Sequence, residues 1–278
     1  MDPVEIQMCA KVSRISSGIV PYGRAVERHS AGKIVVLGGG TDGLIDDCAA
    51  AYSVSADVTV ALVAGITGNA NQFTVAGAFT TGLICNRNLA AVKDLSGYSN
   101  VRALFKSSVA LAAGVLQIGV SETAGMLGSP VWQDIPAVDA GKWYLISVPF
   151  TGVVGDRNAV LSVGLNAVSD PGACVLTLED VSAGADFKGI EGFSDNDAIG
   201  PGCTGTPVEE YAAGKDVPVI FMGHINAKLA AGNTCVSSQR LYPVPGGELV
   251  TTEIVQGGPG IWAKEDQATA GGRVGVRL

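Results

Sequence analysis

Histidine, aromatic residues, charge and long apolar runs are all scarce in this sequence, and each scarcity removes a class of function. Only two histidines occur in 278 residues, His29 and His224, so imidazole-based acid–base or metal chemistry has little to work with. His29 lies in the polar stretch Arg24–His29 and His224 in an alternating apolar stretch, positions that suit a surface and a packed histidine. Neither an H-E-x-x-H helix nor a G-x-S-x-G elbow is present, which removes the zinc-peptidase and nucleophile-elbow hydrolase patterns. No apolar run approaches the ~18 residues of a membrane-crossing helix. The start, Met1-Asp2-Pro3-Val4-Glu5, is acidic and lacks the apolar centre of a secretory signal. Charged residues make up 16% of the chain, with 18 Lys and Arg against 26 Asp and Glu, a net charge of -8. No basic cluster offsets that balance, so nucleic acid is excluded as a partner.

What is abundant is glycine, 38 residues without a Gly-X-Y period, and hydrophobic residues at 47%. The first implies many turns and bulges and the second a packed core. Six cysteines (Cys9, Cys48, Cys85, Cys174, Cys203 and Cys235) are scattered with no C-x-x-C pair, so a zinc site is not expected. They read as buried thiols, with one or two disulfides as the alternative.

Period-2 alternation dominates. It runs through Tyr98–Ser107, Gly114–Ser121, Trp143–Phe150, Ala159–Leu165, Ala173–Val181, Val217–Ile225, Leu249–Val255 and Gly272–Leu278. In Gly114–Ser121, Leu116, Ile118 and Val120 share one face, and Val115, Gln117 and Gly119 the other. Short strands separated by turn residues predict an all-β sandwich or barrel. Helices are expected only over Leu44–Tyr52, as two turns, and Val208–Ala213, as one. Gly-rich stretches at 38–43 and 184–206 mark two boundaries. The block between them is self-consistently β, so the two flanks must pair with each other. The expected organisation is a small β-barrel-like base domain from residues 1–45 and 190–278, with an antiparallel jelly-roll sandwich, 46–189, inserted in it.

One motif points elsewhere. Lys33–Leu37 followed by Gly38-Gly39-Gly40-Thr41-Asp42-Gly43 and a helix over Leu44–Tyr52 satisfies the dinucleotide fingerprint. Its context does not hold up. Asp46 and Asp47 would add negative charge beside a pyrophosphate, Asp57 comes too early for the ribose carboxylate, and no further βα units are present. The stretch reads as a turn or hinge. The carboxylates Glu122, Asp134, Asp170, Glu179 and Asp180 are present, but nothing in the sequence brings two of them face to face. Asp186, Glu191, Asp195 and Asp197 lack a calcium-loop spacing and read as a solvated loop. Trp132, Trp143 and Trp262 are candidates to stack on sugar rings, or to serve as core and edge anchors. No catalytic, cofactor or metal site is assigned.

Two resemblances add to this reading. The tail Ile261–Leu278, with its A-T-A-G-G turn and V-G-V-R-L ending, resembles the C-terminus of small tailed-phage capsid decoration (cement) proteins. Val217–Ile225 with Ala231-Gly232, and Gly18–Val26 with Gly32–Val35, resemble that family's other strands. The middle block is similar to jelly-roll modules of the galactose-binding-like, carbohydrate-binding type. The likeness runs through Phe79–Ile84, Asp94–Tyr98, Val101–Ser108, Ala113–Ile118, Ile135–Ala137, Ala140–Trp143, Ile146–Phe150, Val163–Leu165 and Leu178–Val181. Together they imply a non-enzymatic virion protein, made in the host bacterial cytoplasm. It would bind the major capsid protein on the outer surface of the head as a homotrimer and stabilise the shell. Host glycans are a further implied partner, and a free carbohydrate-binding or fibre module for adsorption is the alternative.

Overall fold

The structure is a computed structural model. It describes residues 10–15, 20–21, 25–28, 34–36, 43–184, 192–194, 210–211, 216–222, 224–237, 239–244, 247–255, 261–263 and 273–277. The chain divides into two compact units. One comprises Met1–Asp42, Lys188–Glu253 and Gly257–Leu278; the other comprises Gly43–Phe187 with Ile254–Gln256.

The chain opens with β1 (Ala10–Ile15), β2 (Val20–Pro21), β3 (Ala25–Arg28) and β4 (Ile34–Val36). The second unit then supplies β5 (Leu44–Asp46), β6 (Ser53–Val54), β7 (Val58–Ala64), β8 (Asn69–Val75), β9 (Gly82–Lys93) and β10 (Asn100–Ser107). It continues with β11 (Leu116–Ser121), β12 (Val131–Asp134), β13 (Trp143–Pro149), β14 (Val160–Ala167) and β15 (Cys174–Gly184). After it come β16 (Gly192–Ser194), β17 (Glu210–Tyr211), β18 (Asp216–Met222), β19 (His224–Lys228) and β20 (Arg240–Pro243). The last strands are β21 (Leu249–Val250), β22 (Ile254–Val255), β23 (Ile261–Ala263) and β24 (Arg273–Arg277). Two 3-10 turns lie at Ala124–Met126 and Val154–Arg157.

The protein is all-β, and the second unit is a sandwich of two sheets. One has the order β22-β13-β10-β15-β8-β7, with β5 on β15; the other has the order β12-β11-β14-β9-β6. Every pairing is antiparallel except β22 on β13, where Trp143 meets Ile254 and Tyr144 meets Val255. Alternation sets the inward faces. Val101, Ala103 and Phe105 of β10 face Leu116, Ile118 and Val120 of β11 and Val163 and Leu165 of β14 across one continuous core. Phe73 and Phe105 are fully buried, and each such side chain contributes about 2–3 kcal/mol by leaving water. Tyr52 packs edge-on against Phe73 at 5.8 Å between ring centres.

In the first unit the sheets are β1-β18-β16-β3-β4, β17-β2 and β19-β24-β23-β20-β21. Here two expected strands are broken. Val217–Ile225 is divided between β18 and β19, which join different sheets. Leu249–Val255 parts into β21 and β22 around a bend at Thr251, whose N–H donates to Asn233 Oδ1 at 3.3 Å.

The helix expected over Leu44–Tyr52 does not form. Leu44–Asp46 is a strand on β15, with Asp46 opposite Val181. The Asp46 carboxylate accepts from Cys48 N–H at 2.8 Å, a local turn that competes with helix. Cys48 sits at φ 57°, and Asn71 Nδ2 takes the carbonyls of Cys48 and Ala50 at 3.2 and 3.1 Å. Those carbonyls would otherwise accept within the helix. Of Val208–Ala213, Glu210–Tyr211 is a strand on β2 and not a helical turn; the rest lies outside the described residues.

Candidate functional site

The outward face of the five-stranded sheet is where this sandwich presents chemistry. Pairing places three rows of side chains on it. Asp134, Gln117 and Asn166 form one row across β12, β11 and β14. Trp132, Gly119, Gly164, Asn86 and Ser53 form the next, from β12 to β6. Ser121, Ser162 and Asn88 form the third.

The first row is a hydrogen-bonded relay. Asn166 Nδ2 donates to Gln117 Oε1 at 3.3 Å, and Gln117 Nε2 donates to Asp134 Oδ1 at 2.8 Å. The relay fixes three rotamers and still leaves one N–H on each amide, Asn166 Oδ1 and Asp134 Oδ2 to bind with.

In the second row two glycines face each other across the ladder, and the missing side chains let other groups close down on the strands. The Trp132 indole lies flat over Gly119: a Cβ there would overlap ring atoms Cε3, Cδ2 and Cζ3. Trp132 as a whole is half-buried. Thr151 braces the strand, its N–H on Gln133 Oε1 at 2.7 Å and its hydroxyl on the Trp132 carbonyl at 3.1 Å. The Gly164 end is filled by Met126, whose Cγ would lie 2.9 Å from a Cβ, while the Cys85 carbonyl oxygen would lie 2.5 Å away. Met126 belongs to a loop tied to the third row. Gly125 N–H donates to Asn88 Oδ1 at 2.6 Å, Met126 N–H to Ser162 Oγ at 3.0 Å, and Ser162 Oγ to the Thr123 carbonyl at 2.7 Å.

On the other sheet an outward carboxylate is enclosed. Glu179 is fully buried, and the β7–β8 hairpin wraps its carboxylate. Ile66, Thr67 and Gly68 donate their N–H groups to it at 2.7, 2.6 and 2.9 Å, and Thr67 Oγ1 lies 2.6 Å away. Thr67 Oγ1 is also 2.5 Å from Asp180 Oδ2. At Gly65 a Cβ would overlap the Glu179 carboxylate, so glycine is what lets the turn close on it. Nearby, burial raises the Asp46 carboxyl above its ordinary range, opposed by the Cys48 N–H and by Arg87, whose Nε is 3.5 Å from Asp46 Oδ2.

The structure sorts the sequence candidates. Trp132 lies on the open polar face. Trp143 is half-buried on the other sheet with the Lys106 ammonium 5.8 Å from its ring centre. Trp262 lies in β23. Glu122 Oε1 accepts from Ala159 N–H at 3.0 Å, and Asp170 Oδ1 closes a turn on Gly172 N–H at 2.7 Å. Glu179 and Asp180 share the Thr67 hydroxyl. His224 lies in β19, while His29 and the run Asp186, Glu191, Asp195 and Asp197 lie outside the described residues. So do residues 38–42 of the glycine fingerprint. Leu44–Tyr52, the segment that was to supply the fingerprint's helix, opens instead with strand β5. Cys48, Cys85 and Cys174 are buried free thiols and Cys235 is buried; burial pushes Cys48 up to about 12 and Cys174 to about 11. Cys9 and Cys203 lie outside the described residues.

Reading the sequence left Gln117, Asn166 and the Gly119–Gly164 pair unassigned as site residues. A signal for one of them was available: glycine at an outward position inside a strand marks a close approach. The pairing of Gly119 with Gly164 was not, because register is a tertiary property.

No family model matches this sequence, and no curated protein matches it. Among solved structures the chain is similar to the family 11 carbohydrate-binding module of a cellulosomal cellulase of Clostridium thermocellum. The identity is 16% and the TM-score 0.38, over 52% of this chain and 96% of that one. It is also similar to the CBM22-1 xylan-binding domain of Paenibacillus barcinonensis Xyn10C, with 13% identity and a TM-score of 0.31 over 51% of this chain and 90% of that one. A third is the family 30 carbohydrate-binding module of a Clostridium thermocellum cellulosomal cellulase, with 12% identity and a TM-score of 0.32 over 64% of this chain and 99% of that one.

Proposed function

We propose that residues 43–187 act as a non-catalytic glycan-binding module that receives sugar on the outward face of the five-stranded sheet. The observation that carries this reading is Trp132, laid flat on Gly119 beside the Asp134–Gln117–Asn166 relay. A sugar ring offers an apolar face of C–H groups and an edge of hydroxyls. The half-buried indole suits the first. Mixed donors and acceptors at fixed positions suit the second, since each hydroxyl both donates and accepts. Preset rotamers also lower the ordering cost of binding. One hexose, about 12 heavy atoms at roughly 0.3 kcal/mol each, gives about 4 kcal/mol, a Kd near 1 mM. A site this weak works through repetition along a polysaccharide or through many copies of the protein. The test is a glycan array probed with the full chain and with Trp132→Ala. Binding that is carbohydrate-selective and lost in the variant supports the reading; a variant that binds like the parent removes it.

A second reading concerns what carries the copies: decoration of a tailed-phage head, with the unit built from both chain ends seated on the major capsid protein, as a trimer. What supports it is that segments whose motifs resemble capsid-cement strands come together, β19 pairing with β24 from His224 opposite Arg277 to Lys228 opposite Arg273. An interrupted base with the sandwich inserted in it also suits display. Purified chain added to expanded, undecorated heads should co-sediment and raise their heat resistance; heads that pellet without it refute this reading.

A further inference from the structure

The sandwich has four sheet edges, and three are blunted in familiar ways. β22 and β6 are two residues long, and β12 is four residues long and ends in the exposed Asp134. Such short or charged edges resist pairing with another chain. The fourth edge, β7, is different. It runs seven residues, Val58–Ala64, in unbroken register with β8, from Val58 opposite Val75 to Ala64 opposite Asn69. Among the described residues no strand pairs with its outer edge. Thr59, Ala61, Leu62 and Ala64 are exposed, Leu62 at 48%. From Val58 to Val75 neither strand carries a charge or a proline, in a chain of net charge -8.

We infer that β7 is a self-association edge, pairing antiparallel with β7 of a second copy about a two-fold axis at Ala61. Ladder parity sets the register. Ala76 N–H donates to the Asp57 carbonyl at 2.9 Å and Gly65 N–H to the Gly68 carbonyl at 2.7 Å. The backbone groups of Asp57, Thr59, Ala61, Val63 and Gly65 therefore point at β8, and those of Val60, Leu62 and Ala64 point outward. A two-fold at Ala61 places Val60 opposite Leu62 of the second copy and Leu62 opposite its Val60. Both are hydrogen-bonding positions, and Leu62 gains an apolar neighbour. Asp57 then faces Gly65 of the second copy, so no like charges meet. An uncharged strand gives an acidic or basic partner nothing to recognise, whereas its own copy meets it without electrostatic cost. This is why the occupant is a second copy of this chain.

The test uses cysteine cross-linking in the full chain. Ala61 would face itself in a non-hydrogen-bonded pair, with Cα atoms about 4.5 Å apart, within disulfide reach. Thr59 would lie about 13 Å from Thr59 of the second copy along the strands, out of reach. On mild oxidation Ala61→Cys should form a covalent dimer at least tenfold faster than Thr59→Cys or the parent, which controls for the chain's own thiols. Leu62→Lys changes an exposed side chain, so its melting temperature should stay near the parent's while self-association in sedimentation equilibrium weakens at least tenfold. Equal cross-linking of the two cysteine variants, or a Leu62→Lys variant that associates like the parent, overturns the proposal. So does a parent chain that is monomeric up to about 1 mM, the weak end of measurable association.

Discussion

The two sheets of the sandwich share one strand pattern and differ in what lies on their outward faces. On the sheet containing β10, β13 and β15, Leu104, Leu145, Arg102 and Glu179 lie opposite the core and are at most 2% exposed, while Lys106, Trp143 and Ser147 on the same face are half-buried. On the sheet containing β11, β12 and β14, the equivalent positions hold Gln117, Asn166, Trp132 and Asp134, half-buried or exposed. Both inward faces are apolar and equally continuous. Core-forming alternation and surface function are therefore independent: the first needs one face of each strand and leaves the second free. One sheet devotes its free face to burial and a caged carboxylate, the other to an aromatic shelf and a polar relay.

The contrast can be attacked first at Glu179. Glu179→Ala leaves the N–H groups of Ile66, Thr67 and Gly68 without their acceptor in a closed site. The expected loss is about 3–5 kcal/mol, read as a lowered denaturant midpoint, and a change under about 1 kcal/mol would show that the hairpin finds other partners. Gly164→Ala comes next. Its Cβ would press on the Cys85 carbonyl at 2.5 Å, which is backbone and cannot swing aside. A cost of about 1–3 kcal/mol is expected from overpacking, with the Met126 loop displaced as judged by faster amide exchange at Gly125 and Met126.

Trp132→Ala should split the two roles. Because the indole lies on the sheet and not in the core, stability should fall by roughly 1 kcal/mol or less, while retention on a glycan affinity gel disappears. A large loss of stability would mean that Trp132 is a structural anchor and would merge the two faces that otherwise differ. The smallest effect concerns pH. Burial raises the Asp46 carboxyl in the folded state above the ordinary 3.8. The folded state therefore holds that proton more tightly, so the contribution of Asp46 is fully favourable below 3.8 and is lost as pH rises through the raised value. Unfolding midpoints measured in steps from pH 3 to 7 should show this component in the parent and not in Asp46→Asn.

Much of the sandwich was legible because period 2 is written into the chain. Leu116, Ile118 and Val120 declare an inward face, and Gln117 and Gly119 an outward one, before any partner strand is known. The helix over Leu44–Tyr52 was misread because local propensity favoured it while distant groups opposed it. Asn71 claims the Cys48 and Ala50 carbonyls from another strand, and β15 claims the backbone of Leu44–Asp46. The single strand expected over Val217–Ile225 was misread for a similar reason, since β18 and β19 pair with strands of different sheets.

The sequence by itself determined that this is an all-β chain, which residues of its strands share a face, and that Trp132 was one of three tryptophans able to meet a sugar. Those properties stem from side-chain period and composition, which are local. Only the tertiary structure decided that Gly119 would face Gly164, that Trp132 would lie on Gly119 beside the row of Gln117 and Asn166, and that Glu179 would be enclosed by a hairpin more than a hundred residues earlier in the chain. Each of those depends on register between distant strands. A shift of one residue turns every side chain to the opposite face, so the alternation fixes the faces while the choice of partners is left to the packed whole.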